Sequence, residues 1–273
     1  MKRKLLPVLS VLILILAAGA ALYPTLSSCL NNLLAKGEIA QYNNTVDTLS
    51  AEDKSRCLRQ AEVYNDSIRD FVKDSFSPTS FIDDTEYLAI LNLTDNGQMG
   101  TIDIPCIDCH LPIYHDSDDM LSKGAIHMAG TSLPIGGESN HAVISAHTAY
   151  PGKILFDKLT DVQIGDTFSV TVLGDTMNYK VIDTKIVLPD EVSYLNIERG
   201  RDLVTLITCT PYSINTHRLL VTGERYYPTA VEEEQTAVVT EKDSMPIYIT
   251  ITAFIVTAAL IIFYKGGKRR HEK

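Results

Sequence analysis

Two long apolar blocks stand near the ends of the chain, and the hydrophobic pattern between them is of another kind. Residues 5–23 and 247–264 contain no Asp, Glu, Lys or Arg. As a helix, each block is long enough to cross a bilayer core of about 30 Å. The pattern therefore predicts one transmembrane helix at each end, with a folded segment between them.

The segment that follows the first block has apolar residues at helical spacing. Ser50 followed by Asp53 indicates the start of a second helix, because a serine and an acid three residues apart can cap a helix N-terminus. Residues 25–72 are therefore predicted as a helical front of two short helices. Residues 73–80 are rich in turn-forming residues and predict a loop over 73–85, followed by a short helix near 86–93.

From Met99 onward the pattern changes to short apolar or alternating runs separated by turn residues. The runs are 100–104, 111–114, 142–146, 167–173, 178–187, 203–208 and 218–222. Seven or eight such strands favour a closed or nearly closed β-barrel, so the fold class is mainly β, with the barrel domain over 86–228. Residues 229–246 include three consecutive glutamates at 232–234 and are predicted as an acidic linker to the second span.

Basic residues flank both apolar blocks on the side away from the barrel. Lys2, Arg3 and Lys4 precede the first block, and residues 265–273 form a basic tail after the second. Since cytoplasmic flanks carry the basic excess, we expect both termini to be cytoplasmic and the barrel to be extracellular. The whole chain has a net charge of −10 although both flanks are basic, so the segment between the apolar blocks is strongly acidic. This negative charge argues against a nucleic-acid partner and favours a monomeric catalytic domain.

The first block, residues 1–24, has two other interpretations. Residues 18–20 read Ala-Gly-Ala, which is typical of a signal-peptide cleavage site. Residues 26–29 read Leu-Ser-Ser-Cys and loosely resemble a lipoprotein box, but Tyr23 and Pro24 separate them from the apolar run. An uncleaved membrane anchor is the favoured interpretation.

The cysteines point to thiol chemistry. Five cysteines are an odd number for an exported chain, so at least one thiol should be free. Cys209 ends one predicted strand, and the next strand would pair antiparallel with it and bring Arg218 beside the thiol at the barrel mouth. His147 ends another predicted strand. An imidazole or guanidinium favours the reactive thiolate, and a guanidinium can also stabilise an oxyanion.

These residues also have a plain structural interpretation, in which Cys209 is a small buried hydrophobe and His147 a hydrogen-bonded polar residue. Cys106 and Cys109 invite a redox or zinc interpretation, with His110 and His115 nearby. Zinc normally takes four ligands, however, and on an extended strand the two thiols would point to opposite faces. These two points disfavour both interpretations. His127 and His141 are expected to serve packing or hydrogen bonding, and Cys57 to pack a helix.

A longer stretch decides between these interpretations. Residues 205–223 read TLITCTPYSINTHRLLVTG and resemble the signature TLxTCTPYGxNTHRLLVxG of class C, pilus-assembling sortases. The similarity continues upstream through residues 104–105, 111–115, 129–134, 136–147 and 156, and covers roughly residues 33–226 together with both predicted spans.

The resemblance implies an eight-stranded sortase barrel in which Cys209 is the nucleophile, His147 the general acid or base and Arg218 the substrate clamp. Such an enzyme cleaves a sorting signal of the LPXTG kind between Thr and Gly and forms a thioester. A lysine of a pilin subunit then resolves the thioester to an isopeptide bond. The stretch that contains Cys106 and Cys109 is implied to be an ordinary barrel strand, and no metal or organic cofactor is implied. Whether the resting pair is thiolate and imidazolium, or thiol and imidazole, stays open.

The resemblance also implies a lid over the site, since class C sortases often carry Asp-Pro-Phe or Asp-Pro-Trp in a lid loop. Asp74-Ser75-Phe76 is the expected counterpart, with serine in place of the proline that would fix φ. Phe81 with Asp83 or Asp84 is an alternative. Two rival functions remain: attachment of surface proteins to a cell-wall amine, and a non-catalytic or redox extracellular barrel.

Overall fold

A computed structural model describes residues 2–69 and 84–229 of the chain. Its helices are α1 (Lys2–Thr48), α2 (Ala51–Ile68), α3 (Asp84–Ala89) and α4 (Asp118–Leu121). Its strands are β1 (Gln98–Ile104), β2 (Cys109–Tyr114), β3 (Ala125–His127), β4 (Asn140–Ser145), β5 (Thr167–Val172), β6 (Asp175–Val187), β7 (Asp202–Thr210) and β8 (His217–Arg225).

The strands form a closed barrel in the order β1-β2-β3-β4-β7-β8-β6-β5. The pairs β2–β3 and β4–β7 are parallel, and the other pairs are antiparallel. Closure satisfies the backbone hydrogen bonds that an edge strand would expose. The parallel β4–β7 pair requires a long connection, and the chain completes β5 and β6 on the far side of the barrel before β7 returns beside β4.

The barrel interior is filled with apolar side chains, which follow from the alternation of each strand. In β5, Phe168, Val170 and Val172 are buried, while the residues between them are partly exposed. Because successive side chains of a strand point to opposite faces, this alternation gives one face to the core. The Phe168 ring stacks on Tyr179, with centroids 5.6 Å apart.

The helical front packs against the barrel through a few buried polar contacts. The Tyr42 hydroxyl of α1 donates to the Met99 carbonyl at 2.7 Å and accepts from the Leu173 N–H at 3.2 Å. In α2, the Asn65 side chain bonds both the N–H and the carbonyl of Leu133. These bonds fix the two helices on the barrel because each satisfies a buried backbone group.

The structure confirms the mainly β class and the eight-stranded barrel. The capped start of the second helix is also confirmed, since the Ser50 side chain accepts from the Asp53 N–H. Sequence patterning missed β3, which has only three residues. It also predicted a separate short helix after the first apolar block, and this was wrong, because α1 is continuous from Lys2 to Thr48.

The predicted strand through the two neighbouring cysteines was also wrong. Pro105–Ile107 forms a 3-10 turn, and Asp108 takes a left-handed conformation with φ of 53°. Cys106 therefore lies in the β1–β2 hairpin turn, while Cys109 opens β2 opposite Ile104. The proline and the turn interrupt the strand that the apolar residues alone suggest.

Some predictions fall outside the described residues. These are the proposed lid residues Asp74 and Phe76, the alternatives Phe81 and Asp83, and the second apolar block at 247–264. Within residues 2–69 and 84–229, no helix has both the length and the apolar character needed to cross a bilayer.

The stacked pair inside the barrel gives a stability prediction. A Cβ at Gly223 would lie 2.5 Å from Cε1 of Phe168 and 3.0 Å from Cβ of Tyr179. We expect Gly223→Ala to lower the free energy of unfolding by about 1–3 kcal/mol, because the overpacked rings must move. Urea unfolding of the full chain in detergent, followed by circular dichroism, measures this change.

Gly37→Ala is the matched control, because it makes the same substitution in α1, where nothing lies within 4 Å of the added Cβ. Alanine is the better helix former, so this variant should be at least as stable as the wild type. A Gly223→Ala protein as stable as Gly37→Ala would contradict the packing described for the barrel interior.

Candidate active site

Three neighbouring strands bring the three candidate residues to one level of the sheet. Cys209 of β7 lies directly opposite Arg218 of β8. On the other side of β7, Ser145 of β4 pairs with Ile207. The next N–H of β4, from Ala146, donates to the Ile207 carbonyl at 3.1 Å, so the parallel ladder continues beyond the strand. His147 follows Ala146, beyond the end of β4, and a continuation of the Ser145–Ile207 register by two residues would set it level with Cys209.

The side chains of these three residues face the outside of the barrel. Directly opposite residues share a face, and residues two apart along a strand share a face. Ile207 and Leu220 form an opposite pair, and both belong to a small apolar cluster separate from the barrel core. Leu206 and Val221, one residue away, belong to the core itself. The site is therefore at the strand ends, as predicted, but on the outer face and not in the barrel mouth.

The small apolar cluster lies beside the candidate residues, because its members Ile207 and Leu220 are two residues from Cys209 and Arg218 along β7 and β8. Its members come from four strands, the residue after β3 and the β6–β7 connection: Met128, Val143, Val187, Val192, Leu195, Ile207 and Leu220. The connection from 188 to 201 thus covers the outer face of the sheet. His141 anchors it, since its Nδ1 lies 2.9 Å from the Asn196 carbonyl.

A cavity of about 190 Å³ lies on the same outer face, farther from Cys209. Its walls include Asp183 and Lys185 of β6, Thr222 of β8 and Tyr194 of the β6–β7 connection. Asp183 and Lys185 form an ion pair, and the Lys185 ammonium lies 5.0 Å from the centroid of the Tyr194 ring. Charged, hydroxyl and aromatic groups therefore line this cavity.

Cys209 is free and partly buried. Cys106 and Cys109 are also free, but their chemistry differs. Burial, followed by the charge of Asp166, raises the pKa of Cys106 to about 11, and burial raises the pKa of Cys109 to about 12. Since the thiolate is the nucleophile, these two thiols are poorly suited to attack at neutral pH.

His147 is held between the strand end and the loop that follows it. Its carbonyl accepts from the Phe156 N–H at 3.0 Å, and its ring stacks on Tyr150 with centroids 5.2 Å apart and planes 20° apart. Burial lowers the pKa of His147 below its ordinary value, and the negative charge of Asp118 opposes this effect. The imidazole therefore stays neutral to lower pH than usual and can accept a proton at neutral pH.

Arg218 is oriented by the β7–β8 connection. Its Nη1 donates to the carbonyls of Asn215 and His217, at 3.3 and 3.1 Å. Asn215 has a left-handed conformation, and its N–H donates to the Pro211 carbonyl at 3.0 Å, which closes the turn. Among the described residues the guanidinium forms no ion pair, so it retains N–H donors for another acceptor.

Other histidines are bound into the fold, as predicted. His141 Nε2 lies 2.7 Å from the Thr205 hydroxyl, and His127 Nδ1 lies 2.9 Å from the Tyr87 hydroxyl. Cys57 packs against the core from α2. In the part of the chain that the structure describes, no cluster of His, Cys, Asp or Glu could hold a metal ion.

Sequence reasoning missed Tyr150 and Asp118 as neighbours of His147. The sequence after His147 contains Pro151 and Gly152, which indicate a turn but not the direction in which it folds. Asp118 lies 29 positions before His147, and only the folded sheet brings α4 near the imidazole. No local signal identifies either contact.

Comparisons with known proteins identify the family. The sortase domain model matches residues 102–226. The pilus-related sortase C of Group B Streptococcus is 40% identical, with a TM-score of 0.62 over 68% of this chain and 95% of that one. The sortase C of Clostridium perfringens, solved with the C-terminal cell wall sorting motif, is 36% identical, with a TM-score of 0.63 over 71% of this chain and all of that one (100%).

Curated relatives are more distant. Sortase D of Bacillus subtilis (strain 168) is 29% identical over 115 residues, which are 42% of this chain and 55% of that protein. The chain thus spans about half the length of the first curated relatives that it matches. The solved sortase C structures are covered almost completely, and on that evidence the chain belongs to the sortase family of cysteine transpeptidases, alongside the class C enzymes.

Proposed function

We propose that this protein is an extracellular, membrane-anchored transpeptidase that cleaves an LPXTG-like sorting signal through a thioester on Cys209 and joins it to a lysine of a pilin subunit. The observation that carries the proposal is the register of β4, β7 and β8. Cys209 pairs with Arg218, and Ser145, two residues before His147, pairs with Ile207, two residues before Cys209. The pilus-related sortase C of Group B Streptococcus supports the pilin part.

The first half of the reaction forms the thioester. The Cys209 sulfur attacks the threonine carbonyl carbon of the sorting signal, and the Thr–Gly bond breaks. His147 takes the proton that the Cys209 thiol releases on forming the C–S bond, or already holds it if the resting pair is thiolate and imidazolium, and gives it to the leaving glycine amine. An N–H group of Arg218 donates to the carbonyl oxygen as negative charge develops there, which lowers the barrier.

The second half releases the product. A lysine amine attacks the thioester carbonyl, His147 accepts the proton of that amine, and the Cys209 sulfur leaves. The new bond is an isopeptide between two protein subunits. Every proton and bond is accounted for by the substrates and the three side chains, so the reaction uses no cofactor.

The sorting signal would lie on the outer face between Cys209 and the cavity whose walls include Tyr194 and Thr222, and this path is the proposed groove. The anchoring part of the proposal is supported by the apolar blocks at 5–23 and 247–264, and their basic flanks favour cytoplasmic termini.

The nucleophile assignment is tested by trapping the acyl enzyme. Mass spectrometry of the full chain incubated with an LPXTG peptide should find the acyl group on the tryptic peptide that contains Cys209. Cys209→Ala should lose the adduct and reduce kcat/KM by at least about 10³-fold. Cys106→Ala and Cys109→Ala should keep most of the activity. Activity that survives Cys209→Ala but is lost with the other two would favour the redox alternative.

The pKa of His147 gives a second test. Because the charge of Asp118 raises this pKa, Asp118→Asn should move the imidazole titration to lower pH in NMR of histidine-labelled protein. Asp119→Asn removes the same charge from the neighbouring exposed position of α4 and is the control. The assigned environment of His147 is wrong if both variants titrate alike.

The acceptor distinguishes pilus assembly from attachment to the cell wall. The full chain in detergent is given a pilin that carries both the sorting signal and its lysines, with or without a peptidoglycan amine. We expect a ladder of covalent pilin multimers that is lost when the pilin lysines are replaced by arginine. A single product that forms only with the peptidoglycan amine would support the cell-wall function.

A further inference from the structure

Helix α1 contacts the loop that follows the candidate histidine. The Asn31 amide donates to the Gly152 carbonyl at 2.6 Å, and the Ser27 hydroxyl donates to the same carbonyl at 3.1 Å. Ser27 and Asn31 are four residues apart, so they lie on one face of the helix. Two donors from successive turns thus converge on a single backbone oxygen more than 100 residues away in sequence.

The loop is shaped for this close approach. Gly152 has φ of +76°, a conformation that favours glycine, and a Cβ at this position would run into the Ser27 hydroxyl. Both the backbone conformation and the space therefore require glycine. The backbone at Gly152 and the side chains of α1 are therefore closely packed.

Hydrogen bonds within the same loop connect the Gly152 turn to the segment that follows His147. The Asp157 carboxylate accepts from the N–H groups of Ala149 and Leu155, at 3.0 and 2.9 Å. The Lys153 N–H donates to the Tyr150 carbonyl at 3.2 Å, which closes the turn that contains Gly152. A displacement at the helix contact would therefore reach Tyr150 and the ring stacked on it.

We propose that Ser27 and Asn31 are positioning residues: through Gly152 and the Tyr150 stack, α1 holds the His147 ring on the side of Cys209. The helix that carries the N-terminal apolar block thereby sets the geometry of the active site. The effect on catalysis rests on the function proposed above, whereas the effect on the imidazole environment does not.

Two double variants of identical composition test this proposal. Ser27→Ala with Asn31→Ala removes both donors to Gly152. Ser28→Ala with Asn32→Ala makes the same two changes one position farther along the helix, and Asn32 is exposed. Both pairs are made in the full chain in detergent, and thermal unfolding is recorded to show that both are folded.

We expect the Ser27/Asn31 variant to lose kcat with an LPXTG peptide by roughly tenfold, since small displacements of a catalytic group reduce the rate by up to about 10²-fold. KM should stay within about twofold of the wild type, because neither residue contacts the proposed groove. The Ser28/Asn32 control should match the wild type. A raised KM with unchanged kcat, or equal kcat in the two variants, would overturn the proposal.

NMR titration of His147 provides a readout that is independent of turnover. Loss of the Ser27 and Asn31 bonds to Gly152 should expose the His147 ring to water. The pKa of His147, which burial lowers, should therefore rise in the Ser27/Asn31 variant and stay unchanged in the control. Gly152→Ala, which pushes the loop away from an intact α1, should give the same rise. Equal titrations in all variants would overturn the positioning role.

The two proposals fail in different ways. If His147→Ala keeps full activity while the titration still shifts in the Ser27/Asn31 variant, the proposed function fails and the contact between α1 and the loop stands. If His147→Ala is inactive and the His147 titration does not shift in the Ser27/Asn31 variant, only the positioning role of α1 is wrong.

Discussion

The active site depends on the pairing register of β7 with its two neighbours. Cys209 faces Arg218 because the antiparallel β7–β8 ladder pairs them directly. His147 reaches the same level because the parallel β4–β7 ladder is extended by the Ala146 bond to Ile207. A slip of one residue in either ladder would move one member to the opposite face, since side chains alternate along a strand. Backbone hydrogen bonds therefore determine how accurately the candidate residues are positioned.

The closed barrel explains why the candidate residues lie on the outer face. The interior is filled by buried side chains such as Leu206, Phe168 and Tyr179, which leave no room for a peptide. The outer face of β4, β7, β8 and β6 is partly covered by the β6–β7 connection, whose Val192 and Leu195 complete a second apolar cluster. A protein substrate that binds on this outer face would need no opening of the barrel.

Much of this arrangement was predictable from the sequence, and the failures have physical reasons. The motif around Cys209 and Arg218 is local, because a short hairpin connection sets the register of two strands. β3 was missed because three residues carry too little alternation to be recognised. The outer face was not distinguished from the mouth, because Ile207 and Leu206 are equally apolar and only the folded connection from 188 to 201 gives Ile207 its cover. Other contacts were missed because they join distant segments or depend on how a loop folds back. These are the contacts of His147 with Tyr150 and Asp118, and those of α1 with Gly152.

Electrostatic coupling between Cys209 and His147 tests the central claim most directly. Titrating groups that share one site influence each other, so if these two do, the NMR signals of the His147 ring should show a second inflection when the Cys209 thiol ionises. That inflection should disappear in Cys209→Ala and persist in Cys106→Ala. A His147 titration with one inflection, identical in wild type and Cys209→Ala, would show that the two side chains do not share a site.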